Sequence, residues 1–594
     1  MGTAAELQTA WATLVIESLV RAGITDAIIS PGSRSTPFVI AALENEALEC
    51  TSALDERSAA YFALGQARRT LRPSLLLCTS GSAPANYFPA VVEASEGGVP
   101  VIVLSADRPP ELRGCGANQT TDQVGLYGNK VRFFADLGEP RDDAASLRAL
   151  KRLVAQAVSE ALGAKPGPVH LNAQARKPLE PAPASDEIRA RFDAIVGEPL
   201  TQIFRARPLD PTLVEHISPL TLDAVIEAFD EAVRPVILCG PSDLRSAMFV
   251  DALDRLAERT GAVVLAQTAS QFRCWAGSRA LGGFDTIWQT ESGRSMCLPD
   301  FVLQLGASPV SSGWEQLSAA HRIRRIVVHP WQWADPSSTA QALVQADIGS
   351  FLAALCESGF KSARRDEDFV AGFEWAESAV WDEVSAILAQ AGDALTQAGA
   401  ARAVLDSVPD PSVLVLGNSL PIRDVDRWVP PSKKLLAVCS QRGVSGIDGV
   451  VSGAAGVASW VDGATTLLIG DVSFLHDLNG LQLASSLHGP IVIVVVNNGG
   501  GRIFEQLPIA RDGKETWLPY FTTPHDADLE CAARVYGCAF HSVDTVSGLR
   551  QALALGYAQE GCTVIEALVP PKSALQQGRD LVARVERALQ AEAP

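Results

Sequence analysis

Two short strings in the last third of the chain carry residue types suited to metal and phosphate chemistry. Gly470-Asp471 closes the apolar run TLLIG, Asn497-Asn498-Gly499-Gly500 closes the run IVIVVV, and Asn498 stands 27 positions after Asp471. Two neighbouring parallel strands would bring both side chains to one sheet rim. A carboxylate, an amide oxygen and the Gly500 carbonyl are the hard ligands Mg2+ takes, with diphosphate oxygens and water completing its octahedron. The glycines let the backbone approach an anion. Taken on residues alone, the pair says metal plus diphosphate; each string by itself also reads as an ordinary strand-ending turn. A second set is arginines in Gly-, Pro- or Ser-containing loops after apolar runs: Arg34 in SPGSRSTPF, Arg108 in SADRPPELRG, Arg423 in GNSLPIRD and Arg442 in SQRGVSG. Such a guanidinium can hold a carboxylate bidentately, and Ser33 and Ser419 beside them can add hydrogen bonds. For any single arginine, a surface or interface salt bridge is the alternative.

Composition narrows the anion. The 594 residues carry 49 Lys+Arg against 68 Asp+Glu, a net charge of -19, which opposes contact with a nucleic-acid backbone or an anionic membrane. Arginines in such a chain are expected to meet small anions. The 11 cysteines are scattered and never spaced CxxC, so neither a disulfide framework nor a zinc site is indicated, and a reducing compartment fits. MGTAAELQTAWATLVIESLV lacks a basic leader region and reads as an amphipathic helix, and no apolar run is long enough to span a bilayer. The expectation is a cytoplasmic protein with no nucleic-acid partner and no membrane span.

The elements that must position these residues alternate short β-rich apolar runs with Ala-rich segments, which predicts an α/β chain of three doubly wound parallel-sheet domains. Predicted strands are DAIIS, SLLLCTS, VIVLSA and GPVHLN in the first third, and RPVILCGPSD, FVLQLGASPV and RRIVVHPW in the middle. SVLVLGNS, LLAVCSQRG, TLLIGDVS and IVIVVVNNGGG follow in the last. Ligands in such sheets lie beyond the carboxyl ends of the strands, where both residue sets fall. A Pro-rich stretch at 177–190 reads as a linker and the charged stretch 361–368 ends the middle segment. Three domains follow, 1–185, 200–360 and 385–594, the first and last alike in architecture but not in residues.

The paired strings resemble the GDG…NN motif of thiamin diphosphate enzymes, with Val472 in place of the second glycine. That chemistry also requires a carboxyl on the aminopyrimidine N1'; Glu56 in LDERSAAYFALGQAR, between a strand-like segment and an expected amphipathic helix, is the candidate, and a helix cap is its alternative. SPGSRSTPF, DERSAAYFALG, TSGSAPAN, SADRPPELRGCGANQT, GNSLPIRDVD, QRGVSGIDG, GDVSFLHDLNGL and NNGGGRIFEQLP occur in order along residues 30 to 508. Together they resemble the 2-succinyl-5-enolpyruvyl-6-hydroxy-3-cyclohexene-1-carboxylate synthase family, thiamin diphosphate enzymes of menaquinone biosynthesis.

The resemblance implies pyrimidine-binding, central nucleotide-binding-like and diphosphate-binding domains in that order, and a homodimer or homotetramer with cofactor between subunits. It implies Glu56 at N1', and Asp471, Asn498 and the Gly500 backbone on Mg2+ or, as an alternative ion, Mn2+. Gly470 then stands at the diphosphate and Ile447 under the bent cofactor. The implied reaction joins 2-oxoglutarate to isochorismate with loss of CO2. Ser33, Arg34, Arg108, Asn118, Gln119, Ser419, Arg423 and Arg442 are the implied substrate contacts, and Ile503 and Phe504 pack near the reacting carbon. One departure concerns the central domain, where some relatives carry basic residues and this chain has Ser311, Ser312 and Gly313. The competing expectations are another thiamin diphosphate-dependent 2-oxo acid decarboxylase or acetohydroxyacid-type synthase, and a catalytically silent binding protein. Four loop arginines argue against the former, since small monoanionic or neutral acceptors do not need them; Glu56, Asp471 and Asn498 argue against the latter.

Overall fold

The computed structural model describes residues 2–200, 216–243, 247–275, 278–362, 366–507, 510 and 515–591. The first residues of the expected central domain, 201–215, and Pro508 at the end of the last motif lie outside the described residues. Among the described residues the strands form three all-parallel sheets. The first contains β1 (Asp26–Ile29), β2 (Glu49–Ser52), β3 (Ser74–Cys78), β4 (Val101–Asp107), β5 (Phe134–Gly138) and β6 (Val169–Gln174), in the order β2-β1-β3-β4-β6-β5. The second contains β7 (Pro235–Cys239), β8 (Val263–Ala266), β9 (Phe301–Leu305), β10 (Arg324–Val328) and β11 (Ala342–Val344), ordered β11-β10-β9-β7-β8. The third contains β12 (Ser412–Leu416), β13 (Leu436–Ser440), β14 (Thr465–Gly470), β15 (Ile491–Asn497), β16 (Ala539–Val543) and β17 (Cys562–Leu568), ordered β13-β12-β14-β15-β17-β16. The fold class is the expected one, and every strand named from the sequence is present.

Sheets one and three share one strand order. In each, the chain builds outward from its first strand in one direction and then resumes on the other side, so β1 and β3, and β12 and β14, flank a switch point where a crevice opens at the carboxyl rim. Central strands such as SLLLC and VIVLSAD are buried at every position because helices cover both faces.

Contacts group the chain into two compact units, one of residues up to 206 with 441–462 and 476–488, the other of the remainder. The first unit holds sheet one. On one face the helices Gly2–Arg21, Ala144–Ala161 and Asp186–Gly197 close a core of Trp11, Leu14, Phe38, Leu75, Leu104 and Leu171. The Pro-rich stretch is therefore not a free linker: Leu179 is buried, and Phe192 and Ile195 of the following helix enter that core. The other face carries the helix Glu56–Thr70, which is buried from Ser58 to Arg68 rather than amphipathic. Its small residues explain this. A Cβ at Gly65 would run into the carbonyl of Gly453 on the helix Val450–Ala458, and one at Gly456 into the carbonyl of Phe62, so the two backbones pack closely only because Gly65 and Gly456 are glycine.

The second unit holds sheets two and three, each with its own core. Among the described residues no helix is long and apolar enough to cross a membrane, and all 11 cysteines are free.

Candidate active site

Strands β14 and β15 pair with Gly470 opposite Val496, so the residues that follow them, Asp471 and Asn498, emerge side by side at the rim. Asp471 is buried. Its Oδ2 accepts from the backbone N–H groups of Gly500 at 2.8 Å and Asn498 at 3.2 Å, and its Oδ1 from Val472 at 2.7 Å. Burial pushes its carboxyl above the ordinary range, against those hydrogen bonds. Val472 takes part through its backbone on a helical turn, Asp471–His476, so a side chain is tolerated where the general motif has glycine. Gly500 has no such freedom: its φ is +134°, and a Cβ would lie 2.5 Å from the Thr522 carbonyl oxygen. Gly470 is open around its Cα.

The amide of Asn498 is held by neighbours that sequence reading did not single out. Its Nδ2 donates to Gln397 Oε1 at 3.2 Å, and Gln397 Nε2 donates to Asp424 Oδ2 at 2.8 Å. Burial raises the Asp424 carboxyl to about 7, opposed by the Gln397 hydrogen bond, by Arg427 and Arg423, and by a hydrogen bond with Trp428. Asn498 Oδ1 is left buried without a hydrogen-bond partner. An orphan acceptor beside a buried carboxylate is a pair of hard oxygens that a divalent cation would satisfy, so these residues fit Mg2+. Among the described residues no cluster of three or more His, Cys, Asp and Glu could hold a metal, and a site here must draw on the amide, a carbonyl and ligand oxygens. Arg502 staples the loop, Nε donating to Asn498 O at 3.1 Å and a terminal nitrogen to Gly499 O at 3.2 Å, while its other nitrogen meets Glu505 at 2.9 Å. His525 Nε2 lies 3.4 Å from Asp471 Oδ2.

At the same rim, the loop after β12 carries Ser419, which adopts a positive φ of 72° and whose carbonyl accepts from Arg423 at 2.6 Å. Arg423 is largely desolvated, which lowers its pKa, and Asp285 and Glu315 oppose the shift. Ser311 supplies no cation, as expected; it caps the helix Ser312–Ala320 and donates to Asp285 Oδ1 at 2.7 Å, which also accepts from Gly313 N at 3.0 Å. Ser312 is exposed. After β15, Ile503 and Phe504 lie half-buried on the short helix Arg502–Gln506, with Phe504 5.9 Å from the Phe521 ring.

In the first unit, Arg34 follows β1 and Arg108 follows β4. Arg34 is buried, with a terminal nitrogen donating to Ala175 O at 2.7 Å and its Nε without a hydrogen-bond partner. Desolvation and the neighbouring Arg108 both lower its pKa, and Asp107 opposes them. Asp107 is itself engaged by Arg113 at 2.6 Å. Arg108 donates to Asn118 O at 2.7 Å and Thr120 Oγ1 at 3.3 Å. Gln119, at a positive φ of 52°, donates its amide to Ser80 O at 3.1 Å. Two neighbouring guanidiniums, one buried with an unused N–H, make a socket whose chemistry suits an anion. Asn118, Gln119 and Ser33 are exposed at its rim.

Glu56 opens the helix Glu56–Thr70, but Asp55 is the cap, its Oδ1 accepting from Arg57 N at 2.8 Å. Glu56 thus has its carboxylate free of capping; Asn86 of the TSGSAPAN loop approaches it at 3.4 Å. Arg442 and Ile447 lie half-buried on one loop. Glu93 grips its backbone, accepting from Gly443 N and Val444 N, both at 2.7 Å, and the side chain of Asp448, next along the loop, accepts from the Tyr61 hydroxyl.

Two family profiles match the chain at these places: the N-terminal TPP binding domain of thiamine pyrophosphate enzymes over residues 10–126, and the C-terminal TPP binding domain over 432–567. A 2-succinyl-5-enolpyruvyl-6-hydroxy-3-cyclohexene-1-carboxylate synthase of Sorangium cellulosum (strain So ce56) is 42% identical over 95% of this chain and 93% of its own. Proteins of the same name from Geobacillus kaustophilus (strain HTA426) and Haloarcula marismortui are 40% and 38% identical, over 90% and 95% of both chains. The chain belongs to the 2-succinyl-5-enolpyruvyl-6-hydroxy-3-cyclohexene-1-carboxylate synthase family. It is a thiamin diphosphate enzyme; the first matched region contains Arg34 and Glu56, and the second contains Asp471 and Asn498.

Proposed function

We propose that the chain decarboxylates 2-oxoglutarate and adds the remaining four-carbon unit to isochorismate, giving 2-succinyl-5-enolpyruvyl-6-hydroxy-3-cyclohexene-1-carboxylate for menaquinone synthesis. The observation that carries this reading beyond family membership is the Arg34 and Arg108 socket, since both substrates are dianionic and a buried guanidinium beside a like charge gains most from a carboxylate. Thiamin diphosphate supplies the carbon nucleophile and the electron sink for decarboxylation. Asp471, Asn498 Oδ1 and the Gly500 carbonyl would hold Mg2+, or Mn2+ as a substitute, at the diphosphate, and Gly470 would keep the approach clear. Glu56 holds the proton at the aminopyrimidine N1'. Ile447 would pack against the cofactor. Ser33, Arg34, Arg108, Asn118, Gln119, Ser419, Arg423 and Arg442 bind and orient substrate carboxylates, and Ile503 and Phe504 keep water from the reacting carbon.

In this reading residues 1–185, 200–360 and 385–594 serve as pyrimidine-binding, central and diphosphate-binding domains. The active unit is a cytoplasmic homodimer or homotetramer, with the first domain of one subunit facing the third of another. The uncharged Ser311–Gly313 stretch would favour a second reading, a decarboxylase or acetohydroxyacid-type synthase acting on smaller acids; the loop arginines weigh against it. Purified protein with thiamin diphosphate and Mg2+, offered 2-oxoglutarate or pyruvate with and without isochorismate, separates the two. Consumption of 2-oxoglutarate together with isochorismate is expected, and equal pyruvate turnover without isochorismate would sink the proposal.

A further inference from the structure

We infer that Asp424 and Gln397 are positioning residues that set which atom of the Asn498 amide faces the metal. The inference rests on the Mg2+ reading of the Asp471 and Asn498 rim. The oxygen and nitrogen of an amide are nearly equal in size, yet only the oxygen ligates Mg2+, so an asparagine ligand needs its orientation specified. Here the specification runs through a chain of polarised groups. An indole N–H can only donate, and an ionised carboxylate can only accept. Asp424, fully enclosed, accepts from Gln397 Nε2 at 2.8 Å and is hydrogen-bonded with Trp428. Gln397 must then turn its Oε1 to Asn498, where it accepts from Nδ2 at 3.2 Å. The one atom of the Asn498 amide left over is Oδ1, buried and without a hydrogen-bond partner. Gln397 is itself fixed in place, at the start of the helix Gln397–Ser407 with its backbone N–H on Ser573 Oγ at 3.3 Å.

The chain of donors can be reversed and restored without changing its shape. In Asp424→Asn, Trp428 takes the amide oxygen, so the new NH2 faces Gln397. Gln397 flips to present Oε1 to it and Nε2 to Asn498, and Asn498 answers with Oδ1, turning its NH2 to the metal. Adding Gln397→Glu restores the order, because a carboxylate at 397 accepts from both sides.

The test is Mg2+ titrated at pH 8 into metal-stripped enzyme at saturating thiamin diphosphate, with Kd read from tryptophan fluorescence and folding checked by circular dichroism. Asp424→Asn is expected to raise the Mg2+ Kd about tenfold or more, and Asp424→Asn with Gln397→Glu to return it to within about threefold of wild type. Gln397→Leu, which leaves the Asn498 amide unpinned, is expected to weaken Mg2+ as well and serves if Asp424→Asn does not fold. A wild-type Kd in Asp424→Asn or in Gln397→Leu, or a double variant no better than the single, overturns the inference. Asn498→Ala separates the two levels. If it binds Mg2+ as wild type does, the metal reading falls and the inference with it; if it loses Mg2+ while Asp424→Asn does not, the inference alone falls.

Discussion

Replacing Gly500 by alanine probes the loop that joins the two halves of the metal rim. The backbone there has φ +134°, a region open essentially to glycine, and holding alanine in it costs about 1–3 kcal/mol. The new methyl would also lie 2.5 Å from the Thr522 carbonyl oxygen, which already accepts from Gly501 N at 2.7 Å and cannot move away without losing that bond. The loop must shift instead, and its first loss is the 2.8 Å hydrogen bond from Gly500 N to Asp471 Oδ2. A hydrogen bond to a charged group is worth about 1.5–3 kcal/mol. The Kd for thiamin diphosphate at fixed Mg2+ should therefore rise about tenfold to somewhat over a hundredfold, as isothermal titration calorimetry would measure. Gly537→Ala is the control, because Gly537 also has a left-handed φ, +72°, but nothing within 4 Å of a Cβ. It should lower stability by about 1–2 kcal/mol and leave cofactor affinity alone. Wild-type affinity in Gly500→Ala, or equal losses in both variants, would refute the reasoning.

Glu56→Gln should keep thiamin diphosphate affinity and lose about 10²- to 10⁴-fold in kcat; unchanged turnover would show the proton relay to be elsewhere. Asp471→Ala should weaken Mg2+ and diphosphate together, and cofactor affinity equal to wild type would contradict the metal assignment. Arg34→Lys, which keeps the charge but not the fork, should lower kcat/KM about tenfold or more with cofactor affinity unchanged; a steady-state comparison equal to wild type would remove Arg34 from the substrate site. His170 supplies a pH prediction. It is buried with Nε2 on Ser105 Oγ, and burial lowers its pKa from 6.5 to about 3. The unfolded imidazole takes its proton below about 6.5 while the folded one stays neutral to about 3, so stability is lost as pH falls through that window, about 2 kcal/mol between pH 7 and pH 5. Denaturant unfolding of His170→Gln should show a shallower pH dependence over that range, and an identical slope would contradict the assignment.

The strands that deliver the site were legible because central strands of a parallel sheet are buried on both faces and read as unbroken apolar runs, as IVIVVV does before Asn498. The edge strands β2 and β16 were not. β2, ECTS, is exposed or half-exposed along its length, and β16 has the same character. The helix after Glu56 reads as amphipathic in the sequence because Ala, Gly and Ser count as weakly polar in a pattern, yet here they are small enough to bury a whole helix against a neighbour. Likewise, the Pro-rich stretch at 177–190 had a linker's composition, but Phe192 and Ile195 just beyond it tie the following helix down. Asp471 and Asn498 were visible as spaced strand endings. Gln397 and Asp424 were not, since Gln397 stands 101 residues before Asn498 and 27 before Asp424, and the relay depends on hydrogen-bond polarity rather than residue pattern. His525 gave no signal beyond a lone histidine in a loop, and Asn86 none beyond its place in TSGSAPAN.

The most direct measurement is the stoichiometry of CO2 released from carboxyl-labelled 2-oxoglutarate by the purified protein with thiamin diphosphate and Mg2+, with isochorismate present and absent. One CO2 for each isochorismate consumed, and little release without it, is the expected result. Release of CO2 at the same rate whether or not isochorismate is present, with isochorismate left intact, would contradict the account.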